Sequence, residues 1–222
     1  MDEIRKKDEI REKDRSTPVI AETDVLVVGG GPAGIAAALA AAREGVDTLL
    51  VDRFGFFGGN ITGAMVESLV WYRHEETVEA GGIGREIEDF TTELGGTFPD
   101  AESTGRLIDA DMFKCAADRL VTGSGVRPLL HCLVVDAMVE NGTITGVITE
   151  SKSGRGAIRA RQVIDASGDA DVAARAGAPF HMAPKNELMT VTVGFGVSGV
   201  DVDEFRRHVR MNPGKIGDWA PE

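Results

Sequence analysis

Apolar positions along this chain follow two rhythms. From Val25 to Val28 and from Thr48 to Val51 they are nearly continuous and of strand length, the pattern of strands covered on both faces of a parallel sheet. Between them lie Gly29-Gly30-Gly31-Pro32-Ala33-Gly34 and a run of small residues from about Pro32 to Arg43 that Gly45 ends, which predicts a strand, a loop, a helix and a second strand. Helical periodicity returns at about Ile83 to Leu94 and Asp109 to Val121, with Asp109 as the N-cap, and the stretch from Gly95 to Gly105 reads as a loop. Between Leu129 and Ile164 the period is that of strands. Asn141-Gly142 has the chemistry of a type I′ hairpin turn, and Ser151 to Gly156 makes a second turn, so three antiparallel strands follow one another. The last leads into Ile164-Asp165-Ala166-Ser167-Gly168-Asp169, then a short helix from Asp171 to Ala176 closed by Gly177. Alternation from Leu188 to Val197 predicts one more strand, and a helix is expected around Asp203 to Val209.

Residues 1–17 alternate acids and bases and are expected to form a disordered charged leader, because they cannot bury enough apolar surface to offset the entropy of ordering. Residues 18–182 hold the predicted sheet and helices. Residues 183–222 read as the beginning of a further, substrate-binding domain that is cut short. The net charge of -12 disfavours nucleic acid and anionic membrane as partners, since phosphate-rich surfaces repel an acidic protein. The uncharged run from Val25 to Ala42 is too glycine-broken to span a bilayer. Cys115 and Cys132 fit no metal or redox motif and read as buried thiols, so a cytoplasmic location is expected.

The glycine loop carries the chemistry. Gly29 permits the tight turn off the strand, Gly31 lets backbone approach a pyrophosphate, and Gly34 lets the helix pack closely on the strand, with Ala38 keeping that face thin. The pyrophosphate would lie at the helix N-terminus, where unpaired N–H groups and the helix dipole face it. The second strand ends in Asp52, 23 residues after Gly29, where a carboxylate can accept hydrogen bonds from ribose hydroxyls. Such loops serve NAD and FAD alike. The following Gly58-Gly59 pair, suited to close passage of backbone along an extended ligand, tilts the reading toward FAD.

Together, the fingerprint with Asp52, the second glycine pair, the meander and the segment Ile164 to Asp171 resemble the FAD-dependent oxidoreductases with a glutathione-reductase-type fold, over about Val19 to Pro179. The resemblance implies an α/β fold, a Rossmann-like parallel sheet with a three-stranded antiparallel β-meander. It implies that Gly29, Gly31, Pro32, Ala33 and Gly34 bind pyrophosphate, that Asp52 with Arg53 sits at the ribose, and that Gly58, Gly59 and Asn60 lie along the cofactor. It also implies that Leu133 offers backbone to adenine and that Ala166, Ser167, Gly168 and Asp169 return against the cofactor. Two departures stand out: family members usually carry Glu where this chain has Asp52, and their pattern continues well past residue 222.

The chain is therefore expected to be a flavin-dependent oxidoreductase acting on a small-molecule substrate, as a homo-oligomer or completed by a further C-terminal portion. An NAD-dependent oxidoreductase and a truncated, non-catalytic dinucleotide-binding module are the alternatives. No catalytic acid or base is assigned. His74, beside Tyr72 and Arg73, and His181 are weak candidates, and the adjacent His131 and Cys132 point apart as strand neighbours do. No metal site is expected.

Overall fold

The structure, a computed structural model, describes residues 14–69, 73–74, 78–79, 81–99, 106–188, 191, 193 and 196–212. Most of the predicted leader, Tyr72 and the side chain of His74 lie outside the described residues. In chain order the elements are β1 (Val19–Val28), α1 (Pro32–Arg43), β2 (Thr48–Val51), α2 (Asn60–Gly63), β3 (Ser68–Leu69), β4 (Arg73–His74), β5 (Val78–Glu79) and α3 (Ile83–Glu93). They continue with β6 (Thr97–Pro99), β7 (Arg106–Ile108), α4 (Ala110–Gly123), β8 (Arg127–Leu129), β9 (Leu133–Glu140), β10 (Thr143–Ser151), β11 (Gly154–Asp165), α5 (Asp171–Arg175) and α6 (Val202–Met211). The chain divides into one compact unit that ends at Met189 and a second that begins at Thr190.

In the first unit a six-stranded sheet has the order β8-β2-β1-β11-β10-β9. The pairs β8/β2, β2/β1 and β1/β11 are parallel, and β11/β10 and β10/β9 are antiparallel. The meander is therefore continuous with the Rossmann-like sheet, because β11 belongs to both. Strand β2 and the Leu26–Val28 end of β1 bury both faces. Val27 and Leu50 join the helical side of the core with Ile35, Leu39, Phe113 and Val121, while Leu26, Val28, Leu49 and Val51 face Val147, Ile158 and Val172. Full burial explains why their sequences do not alternate.

Local signals fix most boundaries. Pro32 opens α1 from an extended Gly31, and Asp109 caps α4 by accepting from the N–H groups of Asp111 and Met112, both at 2.9 Å. Asn141 and Gly142 carry φ of 50° and 77°, the two left-handed residues that a type I′ turn requires. The second unit contains α6, which Asp201 caps through the N–H of Glu204 at 2.9 Å; its basic last turn, with His208 and Arg210, suits the helix dipole.

Three expectations need correction. The stretch from Gly95 onward is not a plain loop: β6 pairs with β7, and β7 with β3, in a small antiparallel sheet, and residues 100–105 lie outside the described residues. Such short strands carry too few residues for a readable period. Cys132 is buried but Cys115 is exposed, because α4 turns Phe113, Ala116, Ala117 and Val121 inward and leaves position 115 on its outer arc. Of the strand expected from Leu188 to Val197, Leu188, Val191, Val193 and Val197 are exposed and outside any strand, and positions 189, 190, 192, 194 and 195 lie outside the described residues. A strand needs a neighbour to pair with, and alternation alone does not supply one.

Candidate functional site

The carboxyl ends of β1, β2, β8 and β11 align, with Val28 opposite both Val51 and Asp165, and Val51 opposite Leu129. Everything that leaves those ends converges on one groove. Gly29 leaves β1 at φ 103°, and a Cβ there would strike the carbonyl of Ala166. A Cβ on Gly34 would overlap the carbonyl oxygen of Gly29. Those two glycines are required by the protein's own packing. Gly31 is different: its φ is an ordinary -71°, and a Cβ would meet nothing closer than the Cα of Gly59 at 3.7 Å. The fold alone does not need glycine at 31. The missing side chain keeps backbone open at the N-terminus of α1, where the first-turn N–H groups have no intrahelical acceptor and no side chain caps them. That is the shape a diphosphate fits.

The second glycine pair is interlocked with the first loop. The N–H of Gly58 donates to the carbonyl of Gly30 at 2.8 Å, and a Cβ on Gly59 would lie 2.9 Å from the Cα of Gly31. Gly59 has φ 53° and ψ -121°, a region essentially closed to residues with a side chain, and from it Asn60 begins α2. Beneath them Phe57 is fully buried against Gly30. Gly58 thus shapes the cradle from behind, and Gly59 both shapes and borders it.

Asp52, at the end of β2, is buried, and both carboxylate oxygens accept backbone N–H groups, Oδ2 from Gly30 at 2.5 Å and Oδ1 from Phe54 at 2.7 Å. Its first task is to tie the glycine loop to the segment after β2. Each oxygen keeps a second lone pair, so acceptance from a ribose hydroxyl remains available. The segments after β2 and β8 are further joined by the N–H of Asp52 to Leu129, of His131 to Phe54 and of Cys132 to Asp52, at 2.9 to 3.0 Å. His131, at φ 54°, packs its ring on Gly55, while Cys132 turns inward.

The return turn after β11 is organised by Asp165. Its Oδ1 accepts from the Ser167 N–H at 3.1 Å and hydroxyl at 2.6 Å, and its Oδ2 accepts from the N–H groups of Val172 and Ala173, both at 2.9 Å. The Ser167 hydroxyl also accepts from the N–H of Asp171 at 2.9 Å. Burial alone would push the Asp165 carboxyl up, but these hydrogen bonds favour the charged form and hold it below the usual aspartate value. Sequence reasoning assigned Ser167, Gly168 and Asp169 and missed Asp165. Its partners lie up to eight residues further on, and only the folded turn brings them together.

The groove has two connected parts. A trough of about 500 Å³ is bordered by Gly29, Gly31, Pro32, Ala33, Gly59, Asn60 and the turn from Ala166 to Asp169, and also by Phe54, Gly63 and Ala64, which sequence reasoning did not assign. An adjoining recess of about 70 Å³ is walled by Val28, Val51, Cys132, Leu133, Val134 and Asp171. Gly29, Asp52, Arg53, Ser167 and Asp169 border both. Of the expected residues, Gly34 and Gly58 shape the groove from behind rather than lining it. His181 borders neither part.

Known proteins are similar to this chain in sequence and in fold. Digeranylgeranylglycerophospholipid reductase 2 of Methanopyrus kandleri is 31% identical over 199 residues, which cover 84% of this chain and 48% of that protein. For reductase 1 of the same organism the shared region is 44% of the protein, so the chain spans less than half the length of either reductase. A thiamine thiazole synthase of Sulfolobus acidocaldarius is 29% identical over 224 residues, 86% of this chain and 80% of that one. Among solved structures, a geranylgeranyl bacteriochlorophyll reductase-like protein from Thermoplasma acidophilum matches the fold with a TM-score of 0.54 at 23% identity, over 71% of this chain and 42% of that one. The sequence profile of one family matches residues 24–219, a span that holds the glycine cradle, the acid at the end of β2 and the return turn. The chain belongs to the FAD dependent oxidoreductase family.

Proposed function

We propose that this chain holds FAD along the groove, diphosphate at the N-terminus of α1 and adenosine toward the recess, and serves oxidation or reduction of a small-molecule substrate in the cytoplasm. The observation that carries the reading is Gly31, a glycine on the groove wall that no protein contact requires. Backbone N–H groups of the first turn of α1 bind the diphosphate, with Pro32 and Ala33 presenting no bulk against it. Asp52 accepts from the ribose with the lone pairs that Gly30 and Phe54 leave, and Arg53 stands beside it. Gly59 and Asn60 border the trough, and Leu133 presents backbone at the recess. Ser167, Gly168 and Asp169 close the opposite wall on the rigid turn that Asp165 holds. FAD supplies the two-electron chemistry when bound. We read residues 18–182 as the cofactor-binding domain and 183–222 as the start of a substrate-facing one. The relatives' names point to different substrates, and the chain's own residues select none of them.

The test is a visible absorption spectrum of the purified chain, followed by titrations with FAD and with NAD. A flavin spectrum, or FAD binding well ahead of NAD, is expected; tight NAD binding without FAD binding would sink the reading.

A further inference from the structure

Arg53 leaves β2 beside the groove and does not stand alone. Its guanidinium carbon lies 4.7 Å from the centre of the Phe54 ring, Phe54 stacks on Phe56 at 5.4 Å with the rings 9° from parallel, and the Lys114 ammonium lies 4.7 Å from the centre of Phe56. The four groups form a row, cation, ring, ring, cation. Each cation is attracted by the negative face of its ring, and a guanidinium laid on a ring keeps its N–H groups free in its own plane.

The platform under this row is fixed. Phe54 is held at its N–H by Asp52 and at its carbonyl by His131, Gly55 lies against the His131 ring, Phe57 is buried, and the N–H of Gly58 is bonded to Gly30. Lys114 projects from α4, whose Phe113 is in the core, and is paired with Asp111 at 2.8 Å. The far end of the row is thereby tied to the main helical layer.

Arg53 borders both parts of the groove and, among the described residues, is the one base in their lining, which includes Asp52, Asp169 and Asp171. Its charge is not neutralised by an ion pair among the described residues. A diphosphate entering a wall of carboxylates meets repulsion that the half charge of a helix end only partly offsets.

We infer that the Phe54–Phe56 stack, closed by Lys114, is a positioning device that holds the Arg53 guanidinium at the junction of trough and recess to take a phosphate of the bound dinucleotide. The inference rests on the groove being the dinucleotide site proposed above. Phe56 and Lys114 border neither part of the groove, so they act on the ligand only through Phe54 and Arg53.

The experiment compares ADP with adenosine by titration calorimetry on the full chain, because the two share adenine and ribose and differ in the phosphates. Arg53→Gln is expected to lower the preference for ADP over adenosine about tenfold, as loss of a charge-assisted hydrogen bond does. Phe56→Leu and, separately, Lys114→Gln are expected to lower it about threefold, the scale of a partly exposed cation–π contact, with adenosine binding unchanged. Phe56→Tyr should restore the preference, and Phe56→Leu should do nothing further once Arg53 is already Gln. Equal weakening of adenosine and ADP by the Phe56 and Lys114 variants, or the same loss of ADP binding with and without Arg53, would overturn the positioning role. A wild-type chain that binds neither probe would instead remove the dinucleotide site itself.

Discussion

The two ends of the parallel strands are reinforced by different physics. At the carboxyl ends the connections are joined through the backbone: Gly29 to Val51, Gly58 to Gly30, Cys132 to Asp52 and Ala166 to Val28, at 2.8 to 2.9 Å, with Asp52 and Asp165 taking N–H groups from both sides of their loops. Toward the amino ends Asp24 and Val25 also donate backbone N–H groups to Asp47, at 3.1 and 3.0 Å, but the links added beyond the ladders are exposed ion pairs, Arg127 with Asp47, Arg159 with Glu22 and Arg161 with Asp24. Backbone and buried carboxylate bonds fix positions to fractions of an ångström. Solvated side-chain pairs do not, because water and counter-ions compete for each partner. A ligand recognised mainly by backbone amides needs the first kind of end.

The largest effect that would test this contrast belongs to Gly34. A methyl there overlaps the Gly29 carbonyl, which cannot rotate away because Gly29 is itself tied to Val51. Gly34→Ala is expected to destabilise the chain by about 3 kcal/mol, the upper range of overpacking, which for a chain of this size lowers the melting temperature by roughly 6–12 °C. Thermal unfolding without added cofactor measures it, and an unchanged melting temperature would mean that the cradle is softer than its geometry implies. Gly31→Val separates ligand from fold. The position has room and an ordinary backbone, so the unfolding temperature should move by less than about 3 °C. FAD affinity should fall by at least about 100-fold, since the branched side chain occupies the phosphate's approach. Comparable loss of stability in the two variants would erase the distinction between them.

Asp165 gives a smaller effect with a signature in pH. Asn in its place offers an amide hydrogen where the carboxylate accepted one, so Asp165→Asn is expected to cost about 1–2 kcal/mol near neutral pH, after allowance for partial exposure. Because the folded carboxyl titrates below its unfolded value, its contribution is complete above the unfolded value, about 3.9, and is lost as pH falls through the folded one. The stability gap between wild type and variant should therefore be full at pH 7 and narrow below about pH 4. Urea unfolding across that range checks it, and a gap independent of pH would show that the side chain acts by shape rather than charge.

What could be read in advance divides along the same line. The strand, loop and helix from Val25 to Arg43, the Asn141-Gly142 turn and the Asp109 cap are local, since each depends on residues within a few positions, and each was legible. The backward extension of β1 to Val19, the strand β8 and the parallel pairing of β11 with β1 depend on partners more than a hundred residues away or on neighbouring strands, and no window of sequence holds them. At the site, the fingerprint glycines were legible as a set but not as individuals. Separating Gly29 and Gly34, which the fold needs, from Gly31, which it does not, takes the positions of Ala166 and Gly59.

The smallest predicted effect is at the amino end, where Arg159 meets Glu22 at 3.3 Å with side chains 60% and 68% exposed. Such a pair gains little in water, since the attraction is screened and two long side chains must be ordered to keep it. Arg159→Gln is expected to change stability by no more than about 0.5 kcal/mol. Any difference should vanish at about 1 M salt, where the screening length falls to about 3 Å. The backbone of β11 is meanwhile held on both sides by the ladders to β1 and β10, which do not involve the guanidinium. FAD affinity should be untouched, because Arg159 borders no part of the groove. Thermal unfolding at low and high salt, with a parallel FAD titration, decides it. A loss comparable to that of Asp165→Asn, or a change in FAD affinity, would mean that the amino end helps to set the cradle and that the two ends are not the separate systems their bonding describes.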